Sequence, residues 1–331
     1  MSKAKILVTG GAGYIGSHVV AQLLEAGEEV VVLDNLSTGF REAVLGGELI
    51  IGDVGDTELV SNLLRQYPID TVMHFAARTI VPESVSDPLR YYATNTGATR
   101  NLLACCARAD IRHIVFSSTA AVYGVPQGGH ACEETPTNPI NPYGTSKLMS
   151  EWMLRDLAAS CAMRYVALRY FNVAGCDGRG RIGQSTAKAT LLMKVAAEAA
   201  IGVRPHVAIY GTDYPTADGT GVRDYIHVDD LAAAHLAALA YLRDGGASAV
   251  LNAGYGHGYS VREVLSAMSR AHGQSIPVLE QDRRAGDPPE LIARCARIRD
   301  TLGWIPRLDD LDLIARSALA WEKRLAARRA S

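Results

Sequence analysis

The run Lys5-Ile-Leu-Val-Thr9-Gly10-Gly-Ala-Gly13-Tyr14-Ile15-Gly16 admits few folds. An apolar, β-branched stretch breaks into glycines three residues apart and then into a helical pattern, which reads as strand, tight turn and helix. Without a Cβ at Gly10, Gly13 and Gly16 the chain can turn sharply, approach a pyrophosphate and pack the helix against the strand. The helix start then offers unpaired N–H groups and partial positive charge to an anion. A second apolar strand, Val30-Val-Val-Leu33, leads into Asp34. A carboxylate there can accept hydrogen bonds from the adenosine ribose and would repel an extra phosphate on it, so NAD is favoured over NADP. Arg41 keeps the NADP alternative open.

Apolar stretches of about five residues then alternate with helical patterns, the signature of a doubly wound parallel sheet. Strands are expected near Lys5 to Thr9, Glu29 to Leu33, Glu48 to Ile51, Asp70 to Phe75, His113 to Ser117 and Tyr165 to Arg169, with helices from about Tyr14, Thr57, Pro88 and Tyr143. Ligands on such sheets bind outside the carboxyl ends of the strands. Those ends hold the Gly10 turn, Asp34-Asn35, Asp53-Val54, Ala76-Ala77, Ser117-Ser118-Thr119 and Tyr170-Phe171-Asn172. The alternation fails beyond about residue 180, where an Ala-rich helix, a short strand ending at Tyr210 and the loop from Gly211 to Gly221 follow. Asp229-Asp230 and the capping box Ser260-Val-Arg-Glu263 mark two further helix starts. The expected class is therefore α/β: a Rossmann-type sheet over residues 1–180, taking back parts of 227–255, and a smaller mixed α/β substrate-binding lobe over 181–331.

With 48% hydrophobic and 21% charged residues and a formal net charge of −2 over 331 residues, the chain suggests no polyanionic partner, so nucleic acid is not expected. Six cysteines without a C-x-x-C pair fit a reducing cytoplasm and no metal site. No apolar stretch is long enough to cross a bilayer, and the amino terminus has no signal-peptide core, so a cytosolic protein is expected.

Tyr143 and Lys147 lie four apart at a predicted helix start and emerge on one face. A phenol is a poor base at neutral pH, but a nearby ammonium favours the phenolate, and an oxidised nicotinamide would add to the effect. With the hydroxyls of Ser117, Ser118 and Thr119 ending the preceding strand, the set reads as a proton-and-hydride transfer centre.

These features, with the runs GGAGYIGSH, LDN, HFAA, SSTAAVYG, PYGTSK, RYFNVAG, DYPTADGTGVRDYIHV and RRAGD, make the chain resemble the extended short-chain dehydrogenase/reductases, and within them the UDP-glucose 4-epimerase (UDP-galactose 4-epimerase) family, nearly end to end. The segment from Asp213 to Val228 is the most specific of these. The resemblance implies a homodimeric enzyme that inverts the 4-hydroxyl of a UDP-sugar through a transient 4-keto sugar, with NAD as resident cofactor. It implies that Gly10, Gly13, Tyr14, Ile15, Gly16, Asp34, Asn35, Asp53 and Val54 hold the adenosine half of NAD. Phe75, Ala76, Ala77, Asn95, Ser117, Lys147 and Tyr170 would lie along the remainder. Tyr143 would be the catalytic base, Lys147 its tuning partner, and Thr119 the bridge to the sugar hydroxyl. Asn172 and Thr190 would contact the UDP-sugar near its diphosphate, Tyr210 the uracil, Arg223 and Arg284 the diphosphate, Asp287 the uridine ribose, and Leu291 the sugar's second-carbon substituent.

The chain departs from the family pattern at Thr119, where serine is common, and at Thr79, where a lysine often faces the cofactor pyrophosphate and Arg78 could substitute. A UDP-pentose or UDP-N-acetylhexosamine epimerase remains an alternative. A nucleotide-sugar 4,6-dehydratase is disfavoured because Ala120-Ala121 replace its Asp-Glu pair. A non-catalytic NAD-sensing protein is disfavoured by intact Tyr143 and Lys147.

Overall fold

The structure, a computed structural model, describes residues 4–186, 189–284 and 287–330. Seven parallel strands form its main sheet: β1 (Lys5–Thr9), β2 (Glu29–Asp34), β3 (Glu48–Ile51), β4 (Ile69–His74), β5 (His113–Thr119), β6 (Arg164–Tyr170) and β7 (Ala249–Ala253). Their order is β7-β6-β5-β4-β1-β2-β3. Succession reverses between β1 and β4, and a crevice opens at such a switch point outside the carboxyl ends of the strands.

Six strands fall where the sequence places them, with ends shifted by a residue or two. The sequence reading named no strand at Ala249–Ala253, which pairs with β6. It is short, partly exposed and distant in sequence from its neighbour, so no local pattern marks it.

Both faces of the sheet are covered, which explains the near-continuous apolar strands. Alternate residues point to opposite faces. Ile6, Val8, Val30 and Val32 enter one core with helices α1 (Tyr14–Glu25) and α6 (Val228–Arg243). Leu7, Val31 and Leu33 enter the other with α2 (Thr57–Gln66), α3 (Ala98–Arg108) and α4 (Pro142–Ser160). The helix expected from Pro88 is interrupted. A four-residue turn, Pro88–Tyr91, passes into a π-helical segment, Tyr92–Gly97, before α3 begins.

The rest of the chain builds α5 (Leu192–Ala200), α7 (Val261–His272) and α8 (Leu311–Ala330) with three small sheets. Ser260 caps α7 through the reciprocal bonds of a capping box with Glu263. The first core runs without a break from Val8 to Ile314, so the smaller lobe packs directly on the sheet. Among the described residues no helix is long and apolar enough to cross a membrane.

Candidate active site

The glycine turn lies at the carboxyl end of β1. Gly10 has φ +72°, and a Cβ there would sit 2.5 Å from the Ala76 nitrogen. A Cβ on Gly16 would meet the Gly10 carbonyl oxygen at 2.3 Å. Both positions are closed by the fold itself. Gly13 differs: its Cβ would meet only the Gly10 oxygen, at 3.2 Å, so local packing alone does not demand glycine there. Gly13 is also the N-cap of α1, with no side-chain cap and no acid in the first turn. An uncapped helix start beside an open Cα suits a pyrophosphate.

Asp34 is buried, and its carboxylate oxygens accept from the Ala12 and Leu36 amides at 2.9 and 2.8 Å. A carboxylate has about four acceptor sites, so capacity remains for ribose hydroxyls. Asn35 Nδ2 donates to Asp53 at 2.9 Å, which joins the ends of β2 and β3. Val54 is buried in the second core. Phe75 and Ala76 donate backbone N–H bonds to Thr9, and the Phe75 ring packs on His235 with centroids 4.8 Å apart. The Tyr14 hydroxyl donates to the Gly175 carbonyl oxygen at 2.7 Å, and Ile15 packs against the first core. These residues fit a dinucleotide.

Tyr143 and Lys147 project from the first two turns of α4, whose N-cap is Asn141. Both are buried. The Thr119 hydroxyl lies close enough to the Tyr143 hydroxyl to favour its phenolate, and Lys147 Nζ donates to the Ser117 carbonyl oxygen at 2.8 Å. The Ser117 hydroxyl lies 2.5 Å from that of Tyr170. Burial lowers Lys147 to about 7 against the opposing pull of Glu151. Burial also raises Tyr143, and the nearby Thr119 hydroxyl only partly offsets it. The expectation that Lys147 lowers the phenol is not met by the polypeptide alone. Its ammonium is directed at a strand carbonyl, and desolvation dominates both groups.

A third group gathers beside the smaller lobe. Arg223 ends a short strand, Val222–Arg223, and lies opposite Leu291 in the strand Glu290–Ala293. Its guanidinium is 4.0 Å from Asp287, whose amide donates to the Arg284 carbonyl at 3.3 Å. The Arg284 guanidinium covers the Tyr210 ring at 3.6 Å. The backbone N–H of Asn172 donates to the Asp224 carbonyl, next in the chain to Arg223. Tyr210, Arg223, Arg284, Asp287, Leu291 and Asn172 therefore converge from distant segments. Thr190 is exposed, and Ala285 and Gly286 lie outside the described residues.

Some residues behave otherwise than the sequence suggests. Both amide hydrogens of Asn95 are committed internally, to Arg78 O and Ser146 Oγ at 3.0 Å, while its oxygen accepts from the Arg78 amide. It therefore fixes the loop after β4. Arg78, the candidate stand-in for the lysine absent at Thr79, is paired with Glu83 at 3.1 Å. Ala77 is half-buried beside it. Sequence reasoning missed the buried pair Glu151–Arg169 behind Lys147. The available signal was a glutamate four residues after the lysine on the same helical face.

The NAD dependent epimerase/dehydratase family model matches residues 6–254. A UDP-glucose 4-epimerase of Azospirillum brasilense is 55% identical over 322 residues, covering 97% of this chain and 92% of that relative. The crystal structure of the Brucella ovis UDP-glucose 4-epimerase in complex with NAD superposes with a TM-score of 0.93 at 44% identity, over 96% of this chain and 98% of that one. That of the Bifidobacterium longum UDP-glucose 4-epimerase in complex with NAD+ and UDP gives 0.93 at 39% identity, over 97% and 98%.

Proposed function

The chain belongs to the NAD-dependent epimerase/dehydratase family, and from that premise we infer an NAD-dependent UDP-hexose 4-epimerase that interconverts UDP-galactose and UDP-glucose. The observation that carries the reading is the Lys147–Ser117 hydrogen bond at the end of β5, with buried Tyr143 and Thr119 beside it, one strand from the switch point that holds the glycine turn. Bound NAD supplies the hydride acceptor and donor. Gly13, the N–H groups of Tyr14, Ile15 and Gly16, and the Asp34 carboxylate would hold it.

Tyr143 takes the proton of the sugar's 4-hydroxyl while the hydride on C4 leaves for the acceptor that NAD would supply, which gives a 4-keto sugar; the proton and the hydride return after the sugar has presented its other face. Thr119 holds the phenol in line. Lys147, when protonated, stabilises the phenolate. Arg223 and Arg284 would clamp the diphosphate with charge-assisted bonds, and Asp287 and Tyr210 would hold the uridine. Anchoring UDP while gripping the sugar loosely permits the turn-over. Acid denaturation should release NAD, and native protein given UDP-galactose should yield UDP-glucose without added reductant. A requirement for stoichiometric NADH would overturn the reading.

A 4,6-dehydratase needs an added acid and base beside the sugar. Thr119 is followed by a 3₁₀ turn, Ala120–Tyr123, that begins with two alanines, which supports epimerisation instead. A homodimer is supported by exposed Val85, Leu89 and Trp152 on neighbouring helical segments. A cytoplasmic location is supported by six free cysteines, among them adjacent, buried Cys105 and Cys106.

A further inference from the structure

Tyr143, Lys147 and Glu151 occupy three successive turns on one face of α4. The first two face the proton-transfer centre, whereas the third is a buried carboxylate with no contact to it. Glu151 is 4% exposed, a position carboxylates hold only when paired. Arg169 supplies the partner from β6, donating Nε to Oε1 at 3.0 Å and Nη2 to Oε2 at 2.6 Å. The Ser118 hydroxyl, on β5, donates to the same Oε1. Ser118 and Arg169 are register partners across the β5–β6 ladder, so one helix carboxylate clamps a cross-strand pair.

The clamp lies between the two contacts that define the centre. Ser117, immediately before Ser118, receives the Lys147 ammonium, and Thr119, immediately after it, lies beside the Tyr143 hydroxyl. Three consecutive strand residues thus meet three stripe residues of α4. A slip of the helix along the strand would break all three contacts together. Arg169 is itself braced: Nη1 donates to the Tyr123 hydroxyl at 3.1 Å, and that hydroxyl donates to Asn252 on β7 at 2.7 Å. The brace therefore spans α4 and three strands of the sheet.

We propose that Glu151, held by Arg169 and Ser118, is a positioning residue for the proton-transfer pair: it registers α4 on β5 and supplies the negative charge that keeps Lys147 protonated. This rests on the reading of Tyr143 and Lys147 as that pair. The charges around Lys147 are few. On α4 they are Glu151 and the Tyr143 phenol. The β5 side offers only the Ser117 carbonyl and the Phe116 ring, 4.9 Å from Nζ. β4 contributes His74, which burial keeps neutral, and β6 contributes Arg169 and the Tyr170 phenol, which burial holds protonated. The neighbouring segment 92–97 contributes uncharged Asn95, through Ser146. Glu151 is thus the one anion in this set, and it opposes the loss of the Lys147 proton on burial.

Removing the carboxylate charge makes Lys147 lose its proton at lower pH, so activity that needs the ammonium disappears earlier as pH rises. The test is the pH profile of kcat for UDP-galactose in the NAD-loaded protein. Glu151→Gln should move the alkaline limb down by about one pH unit, at the low end for a nearby opposite charge because Arg169 shares the carboxylate. Glu151→Asp, which keeps the charge, should restore the limb while lowering kcat at all pH values. Where Glu151→Gln leaves Arg169 unpaired and fails to fold, the double variant Glu151→Gln with Arg169→Gln removes both buried charges and should show a smaller downward shift, because loss of the Arg169 cation partly offsets loss of the anion. A folded Glu151→Gln or double variant with an unmoved limb would overturn the proposal. A Tyr143→Phe control separates the two readings, because near wild-type turnover in that variant would instead refute the assignment of the pair.

Discussion

The proposed cofactor half and the proposed substrate half of this molecule are held in shape by different means. Around the glycine turn the packing is tight: Gly10 and Gly16 have no room for a methyl group, Asp34 is tied to two backbone amides, and His74 bridges Thr9 and Thr99 at 2.6 and 2.8 Å. Around Tyr210 the segments meet through exposed groups. Arg284 lies over Tyr210, and Arg283 lies over Tyr214 while pairing with exposed Asp213 at 2.7 Å. Exposed pairs contribute little to stability and rearrange easily. A resident cofactor on a rigid floor and an exchanging nucleotide under a rearrangeable cover is the division of labour that an epimerase needs.

The sharpest test of that division acts at the seam between the halves. Tyr143→Phe removes one hydroxyl from a buried ring that otherwise keeps its packing. Turnover should fall by roughly two to four powers of ten, the range for a positioned acid or base, while NAD content and melting temperature stay near wild type. Single-turnover assays with acid-released NAD as the loading control would measure it, and near wild-type turnover would remove Tyr143 from the chemistry.

Next in size is a contrast within the glycine turn. Gly16→Ala forces a methyl group against backbone on two sides, so it should destabilise the fold by about 1–3 kcal/mol, as overpacking does, and lose NAD with it. Gly13→Ala meets one oxygen at 3.2 Å at an ordinary φ of −79°, so stability should hold while NAD content drops. Thermal melts paired with nucleotide content after gel filtration resolve the two. Equal loss of stability in both would mean that Gly13 serves packing rather than the ligand.

Acid should strain the cofactor half before the substrate half. His18, His227 and His235 are lowered to about 4 and His74 to about 3, each chiefly by burial. Unfolding returns them to about 6.5, so the unfolded chain binds more protons and stability falls as pH drops from about 6.5 toward 4. Asp229, raised to about 6 by burial, acts in the opposite sense, losing its contribution as pH rises through 6. Burial also lowers His113 and raises Asp224, so five histidines oppose two carboxyls, and the melting temperature should decline below pH 6.5. A flat profile from pH 7 to 4.5 would show that these histidines are charged in the folded protein.

The same contrast explains what could be read in advance. The glycine spacing, Asp34 and the Tyr143/Lys147 stripe are local patterns on regular elements, and local patterns survive in sequence. Glu151 and Arg169 did not announce themselves, because a glutamate in a helix and an arginine ending a strand read as surface residues until the fold buries them together. Asn95 was identified as a ligand contact, but the π-helical turn that aims it at Arg78 is invisible in the run Tyr92-Ala-Thr-Asn-Thr-Gly97. In the substrate half the order of the small sheets is non-local, with His130–Ala131 joining Glu290–Ala293, so only the resemblance brought Arg223, Arg284 and Leu291 to one place.

The smallest expected effect is the one that probes the substrate half most finely. Leu291 lies in the strand beside Arg223, 9% exposed, where its side chain belongs to the core while the family resemblance sets it against the sugar's second-carbon substituent. A smaller residue opens room for an N-acetyl group, and a larger one closes it. Leu291→Ser should therefore raise turnover of UDP-N-acetylgalactosamine relative to UDP-galactose by roughly tenfold, and Leu291→Tyr should lower that ratio similarly, the scale set by a few carbon atoms in a pocket. Both variants disturb a packed position, so both should melt lower than wild type through cavity formation or overpacking. Stability loss depresses the two substrates together and leaves their ratio of kcat/KM unchanged. The ratio is consequently the readout. Equal ratios in all three proteins would show that Leu291 serves the core alone, and that the segment from Arg284 to Leu291 meets the nucleotide without reaching the sugar.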